Sequence, residues 1–160
     1  MITSAQTALA QWQRIEILVQ EWLRERQQLL HLLSAIRGPS GSRMSPPVSE
    51  HVKQFCEMLM DYISAGYFEI YRELAREARC FQRDNPELTQ SIMQKLDDST
   101  DEALAFNDDF DTKEHIDEML ELLPLRLAHL LEKLEERFAL EDQLIVSIHQ
   151  PTTPAKAMLR

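Results

Sequence analysis

FCEMLMDYISAGYFEIY, residues 55–71, carries too few charges for an ordinary surface helix and too many for a fully buried one. Asp61 sits at its centre, Ser64-Ala65-Gly66 follow, and Phe68 stands beside them. Advancing 100° per residue from Phe55 places Cys56, Leu59, Ile63, Tyr67, Ile70 and Leu74 between about 40° and 120°. Glu57, Asp61, Ser64 and Phe68 fall between about 180° and 240°, on the other side. One face of this helix therefore builds a core. The other presents an aromatic ring among acids and a hydroxyl, a common make-up for an interaction patch. The competing reading packs Phe68 on another helix of the same bundle. Ala65-Gly66 either permits close helix contact or simply weakens the helix, the glycine by about 1 kcal/mol relative to Ala.

Outward from this stretch the same period recurs. Ala8, Ile15, Trp22, Leu29 and Ile36 repeat every seven residues, and Trp12, Val19 and Leu33 add a flanking row. The spacing predicts a long amphipathic helix over 4–36, with Thr3 or Ser4 as N-cap and Gly38-Pro39 as its stop. Residues 48–81 form a second helix, ended by Arg83-Asp84-Asn85-Pro86, because the residue before a proline is pushed out of the helical region. A third runs over 86–107 with Pro86 in its first turn, and a fourth over 113–149. Pro124 lies inside the fourth and should kink or split it. These elements predict an all-α, antiparallel four-helix-bundle-like domain over 1–150, with residues 151–160 as a flexible tail.

Composition narrows the function. Only three glycines occur, which favours helix and leaves little for hairpins. The net charge of −10 disfavours direct nucleic-acid binding, which needs a surplus of Lys and Arg, and makes a basic partner the natural complement. Ten acids between Asp97 and Glu118 against Lys113 alone give nine net negative charges in one segment, a solvated face or a means of steering that partner. Cys56 and Cys80 are the only cysteines, and no basic-then-apolar leader or membrane-length apolar run accompanies them, so a reduced, cytoplasmic protein is expected.

Chemical motifs are missing. A di-iron bundle needs Glu three residues before a ligand His. His31, His51, His115, His129 and His149 are preceded there by Gln28, Val48, Thr112, Arg126 and Val146. The acids of 107–118 suggest a calcium loop, but the glycine required at its sixth position is absent. No nucleophile elbow, phosphate loop or Cys-x-x-Cys occurs. No catalytic residue, metal or cofactor is expected, and Cys56, on the core stripe, reads as a structural thiol. Trp22, Arg26, Tyr71 and Glu141 form a candidate buried polar network, since a covered indole N–H and a covered guanidinium both need acceptors.

WLRERQQLL (22–30), FCEMLMDYISAGYFEIYREL (55–74), EALAFND (102–108) and LEERFALEDQLI (134–145) occur in an order that resembles the Rsd/AlgQ family of anti-sigma regulators. EALAFND is closer to the AlgQ branch. The resemblance covers most of the chain. It implies a non-enzymatic helical bundle that binds region 4 of the primary sigma factor of RNA polymerase, blocking its contacts with core polymerase and with the promoter −35 element. It maps the sigma contact onto Asp61 and Phe68, both on the face opposite the core stripe; Glu57 and Ser64 join them by position. Tyr67 stands where the family more usually has His, and it lies on the core side. The alternative function is a helical homodimer or scaffold that self-associates, if only weakly, through the Phe68 face.

Overall fold

The computed structural model describes residues 4–37, 48–82 and 85–149. The expected N-cap Thr3, the loop from Gly38 and the 151–160 tail lie outside what is described, while Ser4, the other candidate, is the first residue of the first helix. Helix α1 spans Ser4–Arg37 and α2 spans Val48–Ala65. A π-turn, Gly66–Ile70, joins α2 to α3, Tyr71–Cys80. Then come α4, Pro86–Phe110, and the short α5, Lys113–Glu118. A 3₁₀ turn, Leu120–Leu122, leads into α6, Leu123–Ile148. No strand occurs among the described residues, and the all-α bundle follows.

Local chemistry explains the breaks. Asn85 caps α4, its side chain accepting from Leu88 N at 3.2 Å, and Pro86 occupies the first turn, where its missing N–H costs nothing. The helix outlasts the expected Asn107 by three residues, to Phe110. Phe106 and Phe110 lie one turn apart and both are fully buried, so packing carries the helix through Asn107-Asp108-Asp109. Thr112 then caps α5 by accepting from His115 N. Pro124 splits the fourth predicted helix instead of kinking it: α5 and the 3₁₀ turn end before it, and it sits in the first turn of α6.

The two long rows of α1 are buried as predicted, from Ala8 to Ile36. α1 packs on α2, and α4 packs on α6 and α2. Phe55 meets Phe106 edge to face at 5.7 Å, tying α2 to α4. The Cys56 thiol is buried against the Phe110 carbonyl, and burial pushes its pKa up to about 12, so it stays protonated and inert. No helix among the described residues is long and apolar enough to cross a membrane.

Candidate functional site

The π-turn organises both faces of the central helix. Tyr71 N–H bonds to the Gly66 carbonyl, five residues back, so the helix widens by one residue there. A side chain on Gly66 would bring its Cβ within 3.1 Å of Trp22 Cζ2 and 3.2 Å of the Tyr71 hydroxyl. Glycine is thus the residue that lets Trp22 and Tyr71 close over this turn.

Inside, a polar chain is built around Glu141, which is fully buried. Its Oε1 accepts from the Tyr62 hydroxyl at 2.5 Å and from Arg26 Nη2 at 3.3 Å. Its Oε2 accepts from the Tyr71 hydroxyl at 2.6 Å and lies 3.3 Å from Arg137 Nε, an ionic contact whose angle is not that of a hydrogen bond. Each phenol is itself held by an arginine, Tyr62 by Arg26 Nε at 3.0 Å and Tyr71 by Arg137 Nη2 at 3.1 Å. Arg137 spends its remaining donors on Ser99 Oγ and Thr100 Oγ1, and Arg26 reaches out to Asp142 at 2.6 Å.

Burial pushes the Glu141 carboxyl upward and outweighs Arg137, the two phenols and Arg26, which pull it down, so its pKa lies above the ordinary carboxylate value. With both oxygens facing donors, the geometry is that of a carboxylate. Burial pushes both phenols well above their usual range, so they remain donors. For Arg26, burial acts downward, but Tyr62, Asp142 and Glu141 outweigh it and hold the guanidinium charged.

Of the four residues read as a network from the sequence, Arg26, Tyr71 and Glu141 meet directly or through Glu141. Trp22 is in the same cluster, stacked on Tyr62 at 4.8 Å, but gives its indole N–H to the Tyr62 carbonyl at 3.1 Å. Sequence reading missed Tyr62 and Arg137. Tyr62 falls beside Phe55 on the helical wheel, at about 340°, and Arg137 is one turn before Glu141 on an apolar helix, so both signals were available.

Outside, Glu57, Asp61, Ser64 and Phe68 are all exposed, Phe68 at 73%. Phe68 therefore does not pack on another helix among the described residues. Partial burial, then the carboxylates of Asp61, Glu69 and Glu21, push the Glu25 carboxyl above its ordinary value. That places acids from α1, α2 and the π-turn around one surface, with Asp61 in no ion pair among the described residues. Glu21, Glu25 and Glu69 were not anticipated; the i,i+4 acid pair on α1 was visible, but not that α1 would lie beside Asp61.

The segment 97–118 behaves differently. Asp109 pairs with Arg126 at 2.7 Å, Asp98 with Lys133 at 3.5 Å, and Glu102 with His129 at 3.4 Å, so α6 uses part of its charge. No group of three or more His, Cys, Asp or Glu is placed to hold a metal ion among the described residues.

The family described as "Regulator of RNA polymerase sigma(70) subunit, Rsd/AlgQ" matches residues 1–149. A "Regulator of sigma D" from Yersinia pseudotuberculosis serotype O:3 (strain YPIII) is 32% identical over 130 residues, 80% of this chain and 77% of that protein. One from Yersinia enterocolitica is 28% identical over 145 residues, 89% and 87% of the two chains. One from Pectobacterium carotovorum subsp. carotovorum is 32% identical over 131 residues, 80% and 85% of the two. No solved structure matches the chain.

Proposed function

The chain belongs to the Rsd/AlgQ family of regulators of the RNA polymerase sigma(70) subunit, and from that premise we propose that it is a non-catalytic, cytoplasmic anti-sigma protein that binds region 4 of the primary sigma factor. Occupying that region would deny it both core polymerase and the promoter −35 element. The observation that carries the reading is the exposed Phe68 on the same helix as Asp61 and Glu69, whose charges act with Glu21 on Glu25. A DNA-reading helix-turn-helix is basic because it faces phosphates. Carboxylates with no ion-pair partner among the described residues supply its complement, and the ring supplies the apolar anchor that such an interface needs.

Asp61 would pair with a sigma Arg or Lys, Phe68 would fill a pocket, and Ser64 and Glu57 would flank them. Self-association through this face is the weaker reading, because two copies would bring these acids against one another. The described helices would then work as one recognition unit over 1–150.

Calorimetry with purified region 4 tests the proposal. Asp61→Ala should weaken binding by about 2–5 kcal/mol, the cost of unpairing a covered charge, and Phe68→Ala by about 2 kcal/mol or more. Absence of wild-type binding at micromolar concentration would sink the region 4 assignment. Binding that ignores both substitutions would move the site elsewhere.

A further inference from the structure

A cleft between α3, the start of α4 and the end of α6 holds none of the residues of the acidic face. Its volume is about 420 Å³, within the roughly 300–1,000 Å³ typical of small-molecule sites. Its floor is apolar, made by Ala78 of α3, Met93 of α4 and Leu144 and Ile148 of α6. Tyr67 and Tyr71 form a wall, their rings 5.5 Å apart in an edge arrangement. The Tyr71 hydroxyl is already committed to Glu141 and Arg137, so this wall offers an occupant its rings.

Charge at the mouth runs against the rest of the molecule. Arg72 and Arg79 line the cleft, two turns apart on α3, and both are exposed. Neither has an ion-pair partner among the described residues. Among the described residues no Asp or Glu lines the cleft, in a chain with 27 acids and 17 Lys and Arg. Asn85 and Pro86 also line it, so the positive end of the α4 dipole points the same way. Apolar depth with unpaired arginines at the opening is the pattern that holds an amphipathic anion. A whole helix, about 10–12 Å across with its side chains, is too broad for this volume.

We propose that this cleft binds a small amphipathic anion, an apolar body lying on the floor and one carboxylate or phosphate head held by Arg72 and Arg79. The cleft is lined by neither Asp61 nor Phe68, and its test uses no sigma factor, so it can fail without the sigma proposal failing.

The test is calorimetry of the full chain with decanoate, decyl phosphate and decanol, each below its aggregation concentration. One saturable site is expected for the anions, with decanol weaker by about tenfold or more. Whichever anion binds more tightly identifies the head group. The exposed Arg72→Gln/Arg79→Gln double variant should lose about tenfold or more, and Ala75→Trp, which fills the cleft, should abolish uptake with helicity unchanged. Decanol binding as tightly as the anions, unsaturable uptake of all three, or anion binding that survives Ala75→Trp would each overturn the proposal.

Discussion

The inner and outer faces of the α2–π-turn–α3 helix are both rich in polar groups and treat them in opposite ways. Inside, Tyr62 and Tyr71 belong to a chain in which the carboxylate of Glu141 meets two phenols and two guanidinium groups. Outside, Asp61 has no such partner among the described residues, and its charge helps to raise the Glu25 carboxyl. Polar groups that satisfy one another define how the helices of this chain sit. Polar groups left to repel one another define a surface whose complement is another molecule. The difference is costly to invert, since a buried charge without its partner carries the full desolvation penalty whereas an exposed one does not.

That contrast can be broken from the inside with the largest effect. Glu141→Leu would strand Arg26 and Arg137, and the full chain should lose about 3–5 kcal/mol in urea denaturation. Asp61→Ala and Phe68→Ala should shift the same denaturation midpoint by no more than about 0.5 kcal/mol, because each side chain is exposed, while both weaken region 4 binding. A Glu141→Leu loss below about 1 kcal/mol would mean that Asp142 and solvent satisfy the arginines. A destabilising Phe68→Ala would mean that the outer face is structural after all.

Gly66 lies between the two faces, and its replacement has a smaller cost. Alanine would gain about 1 kcal/mol of helix propensity. Its methyl group would meet Trp22 at 3.1 Å, and Trp22 cannot easily withdraw, being stacked on Tyr62 and bonded through its indole N–H. Overpacking of this kind costs about 1–3 kcal/mol, so Gly66→Ala should be destabilising by about 1 kcal/mol net. It should also weaken region 4 binding if relief comes by relaxing the π-turn, which would turn Phe68 away from the acids. Lost stability with unchanged binding would show that the π-turn serves the inner face alone.

How much of this was legible in the sequence follows from which periodicities survive folding. The rows of α1 and the stop at Pro86 depend on local geometry and are where the spacing puts them. The outward aim of Asp61, Ser64 and Phe68 was readable for the same reason. The π-turn was not readable, because a constant 100° step has no place for an added residue; it helps explain why Tyr71, at about 160° on that wheel, is buried while Tyr67 is only half-buried. Phe110 shows a second limit, since the acids before it favour a helix end and only its burial overrules them. Glu21 and Glu25 show a third, because which helix lies beside Asp61 is decided by packing between segments.

The smallest predicted effect comes from a second buried cluster that the sequence did not announce. His149, at the end of α6, stacks on Trp12 at 4.8 Å and offers Nδ1 to Glu77 at 2.7 Å and Nε2 to Glu16. Both neighbours are carboxylates, so both ring nitrogens donate and the ring is an imidazolium. Burial opposes that charge, but Glu77 and Glu16 more than offset it and raise the His149 pKa above its ordinary 6.5. For Glu16, burial acts upward and the His149 bond more than compensates, so its carboxyl lies below its ordinary 4.5. Linkage then fixes the window. The His149 contribution is fully present below about pH 6.5 and is lost as pH rises through its folded value. The Glu16 contribution is present above about pH 4.5 and is lost as pH falls through its folded value. The difference in thermal midpoint between wild type and His149→Gln should therefore be greatest near about pH 6 and shrink towards about pH 9. A difference that grows with pH would make the neutral ring the stabilising form, and the contact with Glu16 would then be geometric rather than ionic.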